Sequence, residues 1–427
     1  MACLRERSNA SERVWPGPPQ KCAGKVTFMR YFLILIVLIQ GVFPARGDTQ
    51  PPAVFEWQSV SPQAVGFSPE ELETFHRDLE SGRYGYIDSV LVIRDEKIIF
   101  EEDYPRDYSS IYGEFAATPG PLVINDPSGP YNYFNPFWHP FYKSSRLHSM
   151  QSVTKSVVSL VLGIAIERGD FPSLDTPVLS FFDDAQIANV DLRKRSMTLR
   201  HLLQMSAGLE WDESLPYSDP ANAFTIMARS LDWVQYTLNR PMASPPGEVF
   251  NYNSGATLVL GHIFRLASGV DIEEYALRYL LNPLGITHHY WDRTPFGLAD
   301  TQEGLYLSAR DLAKIMLLLQ QNGRWMSTQL VSAEWLAESF NHTLATGGEN
   351  DEAYGLAWWS ESYSHKETIG RAIFGKGFGG QRPILLPDLG IIIVATGWNI
   401  LPDQPFLSES EAISRVLAAL VTHASHP

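Results

Sequence analysis

Met150-Gln-Ser-Val-Thr-Lys-Ser-Val-Val-Ser-Leu-Val-Leu-Gly-Ile-Ala-Ile-Glu-Arg-Gly169 decides how the rest of the chain is read. From Val157 to Ile166 almost nothing is polar, which predicts a helix buried on nearly every side. Ser156, Ser159, Gly163 and Ala165 are small enough to let neighbouring elements come close. Arg168 and Gly169 form a C-terminal stop, with the cation where the helix dipole favours it. Ser152 falls at or just before the first turn, and Lys155, three residues on, shares its face.

A serine hydroxyl becomes a useful nucleophile once a neighbour removes its proton. A lysine amine can do this where burial or a second cation brings its pKa toward the working pH. The helix N-terminus adds free N–H groups and partial positive charge, which favour an oxyanion beside Ser152. The alternative makes Ser152 an N-cap and Lys155 a surface residue of the first turn. Of the nine lysines, only Lys155 has a serine at this spacing, and a lysine at the mouth of an apolar helix is costly unless it is used.

Upstream, Ser68-Pro-Glu-Glu-Leu opens a helix with a serine cap and proline in its first turn. Ile87–Arg94 and Lys97–Glu102 flank Asp95-Glu96 as a hairpin. Between Asp103 and His148 the pattern disappears, and Tyr131, Tyr133, Phe134, Phe137, Trp138, Phe141 and Tyr142 crowd a segment broken by Pro and Gly. Two readings stand for it: a wall of the cleft beside Ser152, or a stabilising surface flap.

Downstream, from about 170 to 345, the pattern is mainly helical, with helices expected from Thr198, Ala256 and Ser308 and glycine stops at Gly269 and Gly323. Strands return at Tyr354–Trp359, Arg382–Leu386 and Gly390–Thr396, before a last amphipathic helix from about Ser408 to Thr422. Strands at both ends around a helical middle predict an α+β sandwich. In it, an antiparallel sheet built from the two chain ends is flanked by helices and carries an inserted helical subdomain.

Before this single domain, expected over 48–427, stands a targeting segment. Tyr31–Ile39 is a short apolar core behind Lys25 and Arg30, followed by Pro44-Ala-Arg-Gly47 with small residues at a cut after Gly47. That is the layout of a secretory signal peptide over residues 1–47, with Met29 as the expected true start. The run is too short for a comfortable membrane span; an uncleaved anchor is the lesser reading. An exported, periplasmic or secreted, location is expected. Loss of residues 1–47, with seven basic and two acidic side chains, takes the formal charge from −15 to −20. Such an acidic chain without a basic patch is not a nucleic-acid binder. Both cysteines, Cys3 and Cys22, precede Met29, leaving no disulfide or Cys-based metal site.

Two further stretches carry candidate chemistry. Phe250-Asn-Tyr-Asn-Ser-Gly255 holds Tyr252 on a loop ahead of a helix; a phenol near an ammonium can relay a proton, or the residue is a core tyrosine beside a cap. Phe374-Gly-Lys-Gly-Phe-Gly-Gly-Gln381 contains Gly-x-Gly-x-x-Gly, yet strands rather than a helix follow, which rejects a dinucleotide site. Its glycines would bring main-chain N–H groups to a substrate, with Lys376 adding positive charge; the plain alternative is a glycine-rich hairpin. His288-His289 lacks a third ligand at recognisable spacing, so no metal is expected.

In this order the three elements resemble the serine β-lactamase and penicillin-binding-protein superfamily, in its β-lactamase-related, esterase-like branch. Ser152-Val-Thr-Lys155 resembles the S-x-x-K motif, Tyr252-Asn-Ser254 the Y-x-N or Y-x-S motif, and Lys376-Gly-Phe378 the K-T-G or H-x-G motif. Leu202–Leu209, Pro246–Tyr252 and Glu303–Leu312 add secondary matches. The resemblance implies that Ser152 is acylated, Lys155 is its general base and Tyr252 moves a proton to the leaving group. It implies an oxyanion hole from the N–H of Ser152 and one from the Phe378–Gly379 strand, with Ser254, Lys376 and Gly377 beside the substrate. The implied activity is hydrolysis of a small or peptide-like ester or amide without metal or organic cofactor, in a layout closer to esterases and 6-aminohexanoate-dimer hydrolases. Ser254 replaces the usual asparagine and no hydroxyl residue follows Lys376, two departures from efficient β-lactamases. A D-alanyl-D-alanine carboxypeptidase or weak β-lactamase, and a non-catalytic binding protein on the same fold, are the rival expectations.

Overall fold

The two ends of the chain meet in one nine-stranded sheet. In a computed structural model describing residues 55–421, its strands are β1 (Gln58–Ser59), β2 (Ile87–Arg94), β3 (Lys97–Asp103), β4 (Leu344–Ala345), β5 (Ala353–Tyr354), β6 (Trp359–His365), β7 (Thr368–Phe374), β8 (Arg382–Leu386) and β9 (Ile391–Gly397). Their spatial order is β1-β3-β2-β9-β8-β7-β6-β5-β4. Only β1 runs parallel to its neighbour. The seam between the ends is the antiparallel β2–β9 pair, in register from Arg94 opposite Ile391 to Ser89 opposite Thr396, with a bulge before Ile87 opposite Gly397. The expected signal segment lies outside the described residues. Among the described residues no helix is long and apolar enough to cross a membrane.

The period-2 alternation of the strands sorts their side chains between two cores. Leu91, Ile93, Leu385, Ile392 and Val394 enter one, with helices α3 (Val153–Glu167) and α5 (Ala309–Gln320). Val90, Val92, Ile384, Leu386, Ile391 and Ile393 enter the other, with α1 (Pro69–Glu80) and α6 (Glu409–Ala418). Covering both faces explains why the central strands read as nearly continuous apolar runs. The helix starts follow the local chemistry: Ser68, Ser308 and Ser408 each accept a backbone N–H with the side-chain oxygen, from Glu71, Asp311 and Glu411 respectively.

Helix α3 is buried at every position from Val153 to Ala165. Its small residues serve close approach: a methyl at Gly163 would lie 2.5 Å from the Trp335 ring, and Ser156 Oγ donates to the Ala357 carbonyl at 2.6 Å. Two-residue strand His148–Ser149, just ahead of this helix, pairs with Leu305–Leu307, which also pairs with Tyr290–Trp291. The Met150 N–H continues the alignment, donating to the Leu305 carbonyl at 2.8 Å. This small sheet fixes where the polypeptide enters α3.

Two local expectations are corrected, and one element is added. The patternless segment 103–148 contains α2 (Tyr108–Ala116), capped by Asp107, whose side chain accepts from the N–H groups of Ser109 and Ser110. Its serines and glycine are weak helix formers; packing of Tyr108 and Tyr112 into an aromatic core supplies what propensity lacks. Tyr354–Trp359 is two strands rather than one, broken at Ala357 with φ +61°. The β6–β7 hairpin was hidden by its polar residues, Ser-Glu-Ser-Tyr-Ser-His-Lys-Glu-Thr.

Candidate active site

Ser152 occupies the N-cap position of α3 at φ −62°, ψ −10°, and its side chain makes no capping hydrogen bond. Gln151 before it adopts φ +49°, a left-handed conformation uncommon outside glycine, so the chain turns sharply into the helix. The hydroxyl is met instead by Lys155, which is 2% exposed: Nζ donates to Ser152 Oγ and to the Gln302 carbonyl, both at 2.9 Å. The capping-serine and surface-lysine alternative is not the arrangement found. Gln302 reaches Lys155 through the small sheet, because pairing of Ser149 with Tyr306 lays residues 302–305 along the entry to α3.

Tyr252 sits just ahead of α4 (Ser254–Ser268), whose N-cap is Asn253. Its ring centroid lies 5.2 Å from Lys155 Nζ, and the ring stacks on Trp359 at 5.9 Å. Ser254, the first residue of α4, is buried and bound at two points to Glu213: its N–H donates to Oε2 at 2.9 Å and its Oγ to Oε1 at 2.6 Å. Trp211 Nε1 and the Tyr217 hydroxyl complete the set around that carboxylate, each at 2.8 Å. A carboxylate at a helix N-terminus is in its favoured place.

The third wall is the connection between β7 and β8, which confirms a hairpin and brings its backbone to the nucleophile. A methyl at Gly377 would lie 2.6 Å from the Met150 carbonyl oxygen, so only glycine lets these segments touch. Neither the Ser152 N–H nor the Phe378 N–H has a carbonyl partner among the described residues. Lys376 is paired with Glu352, and its Nζ lies 4.5 Å above the Trp359 ring. Gly379, also in the expected substrate-binding set, follows Phe378 directly: its carbonyl accepts the Asn399 N–H at 2.8 Å, and at φ +86° it packs so tightly that a methyl would lie 2.9 Å from the Trp398 ring.

Ser152, Tyr252, Trp359, Lys376, Gly377, Phe378, Glu213, Tyr217 and Arg382 bound an open cleft of about 310 Å³. Ser152, Tyr217 and Phe378 also border a separate recess of about 10 Å³, walled further by Tyr133, Ser254, Glu303, Leu122 and Phe224 among others. Leu122 and Tyr133 come from the aromatic segment, which therefore walls the site.

Deeper still lies a group of acids. Glu303 accepts the Tyr133 hydroxyl at 2.6 Å; burial, reinforced by Asp300, raises its pKa well above the ordinary value against the opposing effects of Tyr133 and Lys155. Burial likewise pushes Asp292 up to about 7, opposed by the Arg293 N–H and reinforced by Asp300. In the unfolded chain Asp292 would titrate near an ordinary carboxylate value of about 3.9. Between these values the folded chain holds more protons than the unfolded one, so this group's contribution to stability falls as pH rises from about 4 to 7 and stays lost above that. Asp292→Asn should therefore stabilise the fold by about 2–4 kcal/mol at pH 8 and by little at pH 4, measured by denaturant unfolding at both.

Glu213, Tyr217, Gln302, Glu303 and Trp359 carry no site role in the sequence reading. Glu303 was within reach, as an acid at the head of the apolar Gly304–Leu307 run. Glu213 was not: it meets Ser254 only through tertiary packing across 41 residues.

Residues 138–408 match the family Beta-lactamase, and the chain belongs to that family, within the wider superfamily of serine hydrolases. Among curated proteins it is similar to the monacolin J acid methylbutanoyltransferase of Aspergillus terreus, at 29% identity over 158 residues. That match covers 32% of this chain and 36% of the relative, so most of the relative's length lies outside it. Among solved structures it is similar to a Bacillus anthracis protein assigned as a 6-aminohexanoate-dimer hydrolase, with TM-score 0.59, 18% identity and 85% of each chain covered. It is also similar to EstCE1, a hydrolase with promiscuous acyltransferase activity, with TM-score 0.58, 16% identity, and 83% of this chain and 98% of that one covered. At these identities the structural likenesses establish the shared fold.

Proposed function

We propose that this chain is an exported serine hydrolase that cleaves an ester or amide through an acyl-enzyme on Ser152. The observation that carries the reading is the 2.9 Å contact between Lys155 Nζ and Ser152 Oγ in a buried position at the head of α3. In the proposed reaction, Lys155 as a free amine takes the proton as Ser152 Oγ attacks the carbonyl carbon. The tetrahedral oxyanion is met by the N–H groups of Ser152 and Phe378. Tyr252 passes the proton to the departing alcohol or amine. Water then attacks the acyl group by the same route in reverse, releasing the acid and restoring the serine. No step calls for a metal or organic cofactor.

The pairing of Lys376 with Glu352 favours an esterase or amidase over a carboxypeptidase, because it neutralises the cation that would hold a substrate carboxylate. The relative named as an acyltransferase and the hydrolase with acyltransferase activity support an acyl-enzyme that an acceptor other than water can also resolve.

Incubating the protein with a chromogenic short-chain ester, a 4-nitroanilide and nitrocefin, and weighing the intact protein after a fluorophosphonate, tests the reading. Ester or anilide turnover with one phosphonyl adduct on Ser152 is expected. Nitrocefin turnover alone would favour the β-lactamase rival, and neither turnover nor adduct a binding protein. Export, which rests on residues 1–47, is tested by finding the N-terminus of the mature protein after Gly47.

Gly377→Ala should move the β7–β8 connection off the Met150 carbonyl and with it the Phe378 N–H. Displacement of an oxyanion donor by a fraction of an ångström to 1 Å should lower kcat/KM by about 10²-fold, with a far smaller change in Tm.

A further inference from the structure

The hydroxyls behind Ser152 are polarised in one sense. Ser254 Oγ and the Tyr217 hydroxyl both donate to Glu213 Oε1, at 2.6 and 2.8 Å, while Trp211 Nε1 and the Ser254 N–H occupy Oε2. These four donors fill the acceptor positions of a carboxylate. With their protons so committed, Ser254 Oγ and Tyr217 Oη present only lone pairs to the recess they line together with Ser152.

Charge points the same way. Lys376 is paired with Glu352 and Arg382 with Glu409, whereas all four donors to Glu213 are neutral, so its negative charge has no cationic partner among those contacts. Glu303 closes another side of the recess. The volume then limits the guest. About 10 Å³ admits one water-sized group, such as an ammonium, but not an acylated amine.

We propose that this recess is an ammonium subsite and that the substrates are aminoacyl esters or amides, with a free primary amine on the carbon next to the scissile carbonyl. This rests on Ser152 being the acylated residue. Ser254, standing where the motif usually carries an asparagine able to donate, selects for a donor on the substrate instead.

Aminomethylboronic and ethylboronic acids test it, since they differ only in NH₃⁺ for CH₃ and both can form a tetrahedral adduct with Ser152 whatever the natural leaving group. The amine is expected to bind at least about tenfold more tightly, through charge-assisted hydrogen bonds. N-acetylaminomethylboronic acid should lose that advantage. The preference should fall to less than about threefold in Ser254→Ala, and be reduced in Tyr217→Phe, which keeps the ring. Equal or tighter binding of ethylboronic acid overturns the subsite and leaves the hydrolase reading intact. So does a preference unchanged in both variants. Absence of any adduct at Ser152, with no fluorophosphonate label, overturns the hydrolase reading and the subsite together.

Discussion

Ser152→Ala is expected to abolish the covalent adduct and to lower kcat/KM by about 10⁵-fold or more, the loss seen when the attacking residue of a cooperating set is removed. The fold should survive. The hydroxyl does not cap α3, and its contact is with Lys155 Nζ, which keeps the Gln302 carbonyl as an acceptor. A thermal midpoint within a few degrees of the parent, together with lost turnover, is the expected pair of results. Retained ester turnover would show that another group attacks, or that hydrolysis proceeds without an acyl-enzyme.

Lys155→Met is expected to slow acylation by about 10³-fold, within the range of a positioned general base. Methionine approximates the length of the lysine stem and suits a position flanked by the Tyr252 ring, so volume is largely kept. The more telling comparison is Lys155→Arg. A guanidinium retains a positive charge and can still donate to Gln302 and Ser152, but it does not give up a proton in this range. If Lys155 only anchored the serine or supplied charge, arginine would preserve much of the rate. If it takes the proton, arginine fails nearly as completely as methionine. Single-turnover acylation by a chromogenic ester separates the two, and a normal burst in Lys155→Met would remove its role as base.

Much of the fold was legible where local pattern and burial agree. The unbroken apolar run of α3, the serine caps at Ser68, Ser308 and Ser408, and the nearly continuous apolar strands β2, β8 and β9 each announce their structure within a dozen residues. Legibility failed where long-range packing outweighs local preference. Helix α2 forms from poor helix formers because Tyr108 and Tyr112 stack in a shared aromatic core, at 5.9 Å between rings. The site divides in the same way. Ser152 and Lys155 stand three apart on one helix, so their spacing is visible in the sequence; Tyr252 and Gly377 are marked by the residues beside them. Glu213, Gln302 and Tyr133 enter from separate segments, and no periodicity relates them to the serine. Gly379 lies in the same conspicuous glycine cluster, but its close packing against Trp398 comes from a distant segment that the cluster does not announce.

The β2–β9 seam has a consequence for the order in which the chain leaves the ribosome. β2 emerges some three hundred residues before the strand that pairs with its free edge, and loops of that length close slowly. Until Ile391–Gly397 has been synthesised, one edge of the N-terminal hairpin exposes backbone donors and acceptors, an invitation to pair with another nascent chain. A nonsense codon before Ile391 would therefore yield more than an inactive fragment: it would yield one with a permanently open strand edge, prone to aggregate and suited to capture by chaperones.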